Sequence, residues 1–111
     1  MSDTVETAFA GVAAELQPLG ATRGAMFGMP CLKIGKKAFA GLAEQAMVFK
    51  LPADARAQAL RLDGARLFDP MGGRPMKEWV EVPRLHAAQW SDLAASALAY
   101  VAGAPETPQH A

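Results

Sequence analysis

Cys31 and His86 supply the nucleophile and the base that covalent chemistry would need in this sequence. A cysteine reacts as its thiolate, which a neighbouring base or positive charge stabilises, and Lys33 lies two residues from Cys31. A lone cysteine on a strand is more often a small buried side chain, and a histidine in the first turn of a helix more often faces solvent. No catalytic residue is therefore predicted, and a thiol or small-molecule enzyme acting through Cys31 and His86 is the least favoured hypothesis.

Gly72, Gly73 and Arg74 form a short loop whose residue types suit an anion. Exposed glycine N–H groups bind anions, and an arginine adds positive charge. The loop lacks the lysine and hydroxyl residue that end a phosphate-binding P-loop, and a strand rather than a helix is predicted to follow. Anion binding at these residues is kept as a hypothesis beside the favoured one, a flexible connection between strands.

Metal and cofactor binding have little support in the sequence. His86 and His110 are far apart, and no close group of histidine, cysteine and aspartate occurs. The single cysteine excludes an internal disulfide. No cofactor and no metal site are predicted.

Trp79 is the side chain that most suggests a contact surface. It alternates with Val80 and Val82, so it faces away from the core if the valines face it. By the same alternation, an outer sheet face would carry Lys33, Lys50, Lys77 and Trp79. Exposed apolar area with a charged rim is typical of a partner-binding or homodimer surface. The alternative is that a loop or the chain terminus covers Trp79.

The periodicity of apolar residues and the turn residues predict the elements that position these side chains. Apolar stripes at helical spacing and helix-forming composition predict three helices, over Val5–Leu16, Ala53–Arg61 and Leu85–Val101. Short apolar runs separated by glycine and proline predict antiparallel strands, over Thr22–Phe27, Cys31–Ile34, Ala38–Leu42, Ala46–Leu51 and Met76–Val82, with a short extended piece at Ala65–Phe68. Met76 is assigned to the same strand face as Val80 and Val82.

These elements follow the order α-β-β-β-β-α-(β)-β-α. The prediction is a two-layer α+β fold with an antiparallel sheet of about five strands and helices on one face. Residues 1–103 are predicted to form one domain, and residues 104–111 a disordered tail.

Composition limits the classes of partner and compartment. The 11 basic and 11 acidic residues balance, which makes strong nucleic-acid binding a poor expectation, although every lysine and arginine lies between Arg23 and Arg84. Weak nucleic-acid binding by that segment is the second hypothesis. No apolar run is long enough to cross a bilayer. The acidic N-terminus is unlike a secretory signal, so a cytoplasmic location is predicted.

Several motifs together resemble the N-terminal domain of the TfoX family, named for a competence regulator also called Sxy. The motifs run over 24–28 (GAMFG), 35–42 (GKKAFAGL), 47–51 (MVFKL) and 75–83 (PMKEWVEVP). Met29 stands where the family has a second glycine, and Trp79 takes the aromatic place. The resemblance implies an α+β fold, a regulatory role and no established catalytic site.

The leading hypothesis is therefore a non-enzymatic regulatory or protein-interaction module in the bacterial cytoplasm. It would act through its sheet face or as a homodimer.

Overall fold

A computed structural model of the chain describes residues 4–26, 28–70, 72–73 and 75–103. Within them the helices are α1 (Val5–Leu16), α2 (Ala53–Leu60) and α3 (Trp90–Gly103), with 3-10 turns at Gln17–Leu19 and Arg84–Gln89. The strands are β1 (Ala21–Met26), β2 (Met29–Ile34), β3 (Lys37–Leu42), β4 (Ala46–Lys50), β5 (Arg66–Phe68) and β6 (Met76–Pro83). The predicted tail, 104–111, lies outside the described residues.

The strands form one antiparallel sheet in the order β1-β2-β3-β4-β6-β5. The first four follow one another as a meander because their connections are too short for a crossover helix. The helix α2 then carries the chain to the far edge. The α+β prediction is confirmed, and the short extended piece near Ala65 pairs as a sixth strand.

The main core lies between the helices and one face of the sheet. Phe9 of α1 and Trp90 of α3 pack there with Phe39, Phe49 and Val80 of the sheet, all of them buried. Alternation along β4 and β6 sends every second side chain to this side. The helices that the structure describes thus pack on this one face of the sheet.

Thr4 caps the start of α1: its side-chain Oγ1 accepts a hydrogen bond from the N–H of Thr7 at 3.1 Å. The predicted helix over Leu85–Val101 is wrong at its start, since α3 begins at Trp90. The preceding 3-10 turn is held elsewhere: the N–H of Arg84 donates to the carbonyl of Gln45, and His86 Nε2 lies 2.8 Å from the carbonyl oxygen of Asp63. These contacts favour the tighter turn over a continuous α-helix.

Pro30 lies within β2, although the sequence places it in the preceding turn. It faces Ala25 of β1, and β2 begins to pair with β3 only at Cys31. The missing N–H of proline therefore removes no ladder hydrogen bond to β3.

No helix in the described residues is long and apolar enough to span a bilayer.

Candidate functional site

A second apolar cluster lies on the sheet face opposite the helices, which we call the helix-free face. Its buried members are Val48, Phe68 and Trp79, of which Trp79 is 7% exposed. Among the described residues, no helical residue belongs to the cluster. Side chains of the strands and of Ala43, in the turn after β3, pack against it.

Alternation along β4 and β6 places Val48 and Trp79 on this face. Val48 lies between Met47 and Phe49, which point into the main core, and Trp79 precedes Val80, which does the same. The third member, Phe68, comes from the last strand position of β5. The cluster thus joins residues distant in sequence through strand pairing.

Met76 also belongs to the helix-free face, so its predicted assignment to the face of Val80 and Val82 is wrong. The register of β5 with β6 shifts: Leu67 faces Val80, but Phe68 faces Met76. Three residues of β6 are passed over between these two pairs, which breaks the simple alternation. Met76 consequently packs against Phe68 and the rest of the cluster.

Two further methionines extend the cluster towards β1. Met26 and Met29 face each other across the two-residue turn that joins β1 to β2. A Cβ atom at Gly41 of β3 would lie 2.9 Å from the methyl carbon of Met29 and 3.1 Å from that of Met26. Gly41 therefore leaves the space that both side chains occupy. Both methionines remain half-buried.

The predicted lysines lie at different places around the cluster. Lys50 faces Trp79 across β4 and β6, and its Nζ lies 3.7 Å from Oε1 of Glu78. Lys77 is exposed on β6. Lys33 lies on β2, two strands or about 10 Å from β4. The stem of Lys33 crosses Gly24, where a Cβ would lie 3.0 Å from its Cδ. The register thus brings Lys50 beside Trp79, whereas Lys77 is exposed two residues before Trp79 on β6 and Lys33 lies two strands away.

Trp79 lies on the helix-free face, as alternation predicts, but it is not an exposed aromatic. Its burial beside Phe68 and Met76 makes it part of a packed cluster. The apolar surface available on this face belongs instead to half-buried side chains, chiefly the methionines. Two residues separate Met26 from Met29, the length of a tight hairpin turn, and this is the signal that places both on one face.

Glu78 interrupts the apolar face of β6 because it has polar partners on the helical side. Tyr100 of α3 donates its hydroxyl hydrogen to Oε2 of Glu78 at 3.2 Å. Burial, followed by the nearby Glu78 carboxylate, raises the pKa of Tyr100 above its ordinary value. Together with the ion pair to Lys50, this hydrogen bond links the first part of β6 to α3 and β4.

The structure does not bring Cys31 and His86 together. Cys31 is fully buried on β2, between Gly24 of β1 and Gly41 of β3. His86 follows β6, which β3 and β4 separate from β2, a distance of about 14 Å across the sheet. Burial raises the pKa of the Cys31 thiol, and the positive charge of Lys33 only partly opposes this.

Cys31 is expected to be an unreactive thiol. Native protein should react with a soluble disulfide reagent at least about tenfold more slowly than urea-unfolded protein, because the buried thiol is protonated and shielded. At pH values below 9.0, the ordinary pKa of a cysteine, the raised pKa of Cys31 contributes to the stability of the folded state. That contribution is lost as the pH rises through the pKa of the folded state. Equal labelling rates in the two states would contradict this prediction.

The glycine loop already holds a carboxylate from its own chain. The N–H groups of Gly72 and Gly73 each donate to the side chain of Asp69, at 2.8 Å. These are the two N–H groups that the anion hypothesis offers to an external ligand. Arg74, the third residue of that hypothesis, lies outside the described residues.

Asp69→Ala is expected to lower the free energy of unfolding by about 1 kcal/mol, because it removes the acceptor for two backbone N–H groups. Asp69→Asn is the matched control, since its amide keeps one acceptor oxygen, and it should have a smaller effect. Urea unfolding measures both. An alanine variant as stable as the wild type would show that these hydrogen bonds leave stability unchanged.

Among the described residues no group of three or more histidine, cysteine, aspartate or glutamate side chains is placed to hold a metal ion. Comparison of the chain with protein-family models, curated proteins and solved structures finds no match.

Proposed function

We propose that this protein is a non-enzymatic regulatory or protein-interaction module of the bacterial cytoplasm. It binds a partner protein through the helix-free face, or a second copy of itself. The observation that carries the proposal is the set of half-buried methionines, Met26, Met29 and Met76, packed on an apolar cluster that no helix of the described residues covers.

The composition of this face matches the anatomy of protein interfaces. Such interfaces have an apolar centre rich in aromatic residues and methionine, and a polar rim. Methionine suits a contact surface because its flexible thioether adapts to an incoming shape. Here Lys50 faces Trp79 across the β4–β6 ladder, and Lys77, two residues before Trp79, is exposed and can serve as rim charge. The resemblance to the TfoX N-terminal domain, which implies a regulatory role, supports the same function.

A protein partner is favoured over nucleic acid because part of the basic charge on this side is already compensated. Lys50 pairs with Glu78, and Arg66 of β5 lies 3.5 Å from Glu81 of β6. Phosphate binding depends on lysine and arginine side chains free to replace counterions. The apolar centre offers more to a protein surface than to a phosphate backbone.

The test is binding of a partner captured from the source cells, purified, and titrated against matched variants. Lys77→Glu reverses an exposed charge at the rim, and Lys36→Glu makes the same change in the β2–β3 turn. We expect Lys77→Glu and Met29→Gln each to weaken binding by about tenfold, and Lys36→Glu to leave it unchanged. Equal affinities for all variants, or no partner at micromolar protein, would contradict the proposal.

A further inference from the structure

The strand β1 forms one edge of the sheet, and no described residue pairs with its outer side. It is six residues long and pairs with β2 in an unbroken register. An unpaired strand edge offers a row of N–H and C=O groups to any strand that can lie beside it.

The register identifies which groups face outward. A two-residue hairpin turn is closed by a hydrogen-bonded pair, here Met26 with Met29. Hydrogen-bonded pairs alternate with non-hydrogen-bonded ones, so Ala25, opposite Pro30, belongs to the second kind. Its N–H and C=O, and those of Ala21 and Arg23, therefore point away from β2.

Nothing within β1 protects this edge. Natural edge strands are blunted by proline, lysine, bulges or short length. β1 itself has no proline, no lysine and no bulge; Arg23 is its one charged residue, and the flexible Lys33 side chain from β2 lies over Gly24. The opposite edge differs, because β5 has only three residues and its Arg66 is paired with Glu81. The two edges are thus unequal, and β1 is the open one.

A cavity of about 400 Å³ runs beside the same edge, between α1 and β1. Small side chains of α1, Ala10, Ala13 and Ala14, form one wall, and Ala21 and Arg23 form part of the other. A strand added to β1 would direct every second side chain to this side of the sheet. The cavity therefore provides space for those side chains, which a bare strand edge alone would not.

We propose that β1 pairs antiparallel with β1 of a second copy of this chain, joining two sheets about a two-fold axis at Gly24. Identical edges are self-complementary in this arrangement, because each offers the same donors and acceptors to the other. The register places Arg23 opposite Ala25 of the second copy. It avoids the pairing of Arg23 with its own copy, where like charges would repel.

Charge favours the second copy as the occupant. Arg23 stacks 5.1 Å above the ring of Phe9 on α1. Ala25 lies two residues beyond Arg23 on β1, which is an advance of about 6.6 Å. The same distance along α1, counted back from Phe9, covers roughly four residues. This is the first turn of α1, whose acidic residue is Glu6. Arg23 of each copy thus approaches Glu6 of the other. Because the chain has zero net charge, two copies do not repel each other through net charge.

This inference rests on the proposed function only in its self-association form, since it uses the edge of the sheet rather than the helix-free face. The experiment is sedimentation equilibrium of the wild-type chain and matched lysine variants. Ala25→Lys places a charge on the edge, and Ala57→Lys makes the same change on exposed α2. We expect a wild-type dimer, a dissociation constant raised at least about tenfold by Ala25→Lys, and no effect of Ala57→Lys.

Crosslinking tests the register independently. Facing residues at a non-hydrogen-bonded pair have Cα atoms about 4.5 Å apart, close enough for a disulfide. Gly24→Cys in a Cys31→Ala background, with the flexible Lys33 side chain moving aside from the new Cβ, is therefore expected to form a covalent dimer under mild oxidation. Ala57→Cys in the same background should remain uncrosslinked.

A monomeric wild-type chain, or a dimer that Ala25→Lys and Ala57→Lys affect equally, would overturn the edge proposal. A dimer broken by Lys77→Glu but not by Ala25→Lys would also overturn it, while supporting the helix-free face. A dimer that fails to crosslink at Gly24 would overturn the register. Loss of partner binding in Lys77→Glu with an intact dimer separates the two surfaces.

Discussion

Trp79→Ala is expected to lower the free energy of unfolding by about 3–4 kcal/mol. The indole is 7% exposed and packs with Val48 and Phe68. Its removal leaves a cavity on the helix-free face that the neighbouring strands, fixed by their hydrogen bonds, fill only in part. Urea unfolding followed by far-ultraviolet circular dichroism measures the loss without relying on tryptophan fluorescence.

Trp79→Phe is the matched control, because it keeps an aromatic ring at the same position. It should lose less than half as much stability as the alanine variant. If alanine at position 79 lowered stability by less than about 1 kcal/mol, the side chain would behave as an exposed residue. The cluster on the helix-free face would then not be packed as the structure shows.

Phe49→Ala is expected to lower the free energy of unfolding by about 4 kcal/mol. Phe49 is fully buried on the opposite side of β4, where the helices pack against the sheet. Urea unfolding under the same conditions gives the comparison, and Phe49→Leu is the conservative control. A loss below about 1.5 kcal/mol would contradict the assignment of Phe49 to the main core.

Similar losses of unfolding free energy in Trp79→Ala and Phe49→Ala would show that the sheet is packed on both faces. Truncating Trp79 then disturbs the fold, so a loss of binding in that variant would carry no information about contact. Variants at the rim, such as Lys77→Glu, separate binding from stability because that side chain is exposed.

Local signals account for the parts of the fold that the sequence predicts well. Glycines mark the first two turns of the meander, at Gly28 and Gly35, and apolar spacing marks α1 and the body of α3. The errors arise where partners distant in sequence decide the outcome. The contact of His86 with the carbonyl of Asp63 accompanies a 3-10 turn in place of the expected start of α3. The shifted register of Phe68 opposite Met76 moves that methionine to the other face.

In the candidate site too, local signals predict some features, and partners distant in sequence decide the others. Alternation alone places Trp79 on the helix-free face, but its burial depends on Phe68 and Met76, whose positions follow from strand pairing. Similarly, Gly72 and Gly73 are recognisable as a source of free N–H groups. That Asp69 already occupies them depends on the conformation of the loop. Strand alternation predicts which face of the sheet a side chain lies on. Its exposure depends on the side chains that strand pairing brings next to it.

Methionine oxidation tests the role of the helix-free face most directly. Met26, Met29 and Met76 are half-buried on that face, and Met47 is fully buried on the helical side as an internal control. Dilute peroxide should oxidise the first three in the free protein and leave Met47 intact, as read by peptide mass spectrometry. In the complex with the captured partner, we expect those three to be protected. Equal oxidation of the three in the free and bound protein would contradict the proposal that partners bind this face.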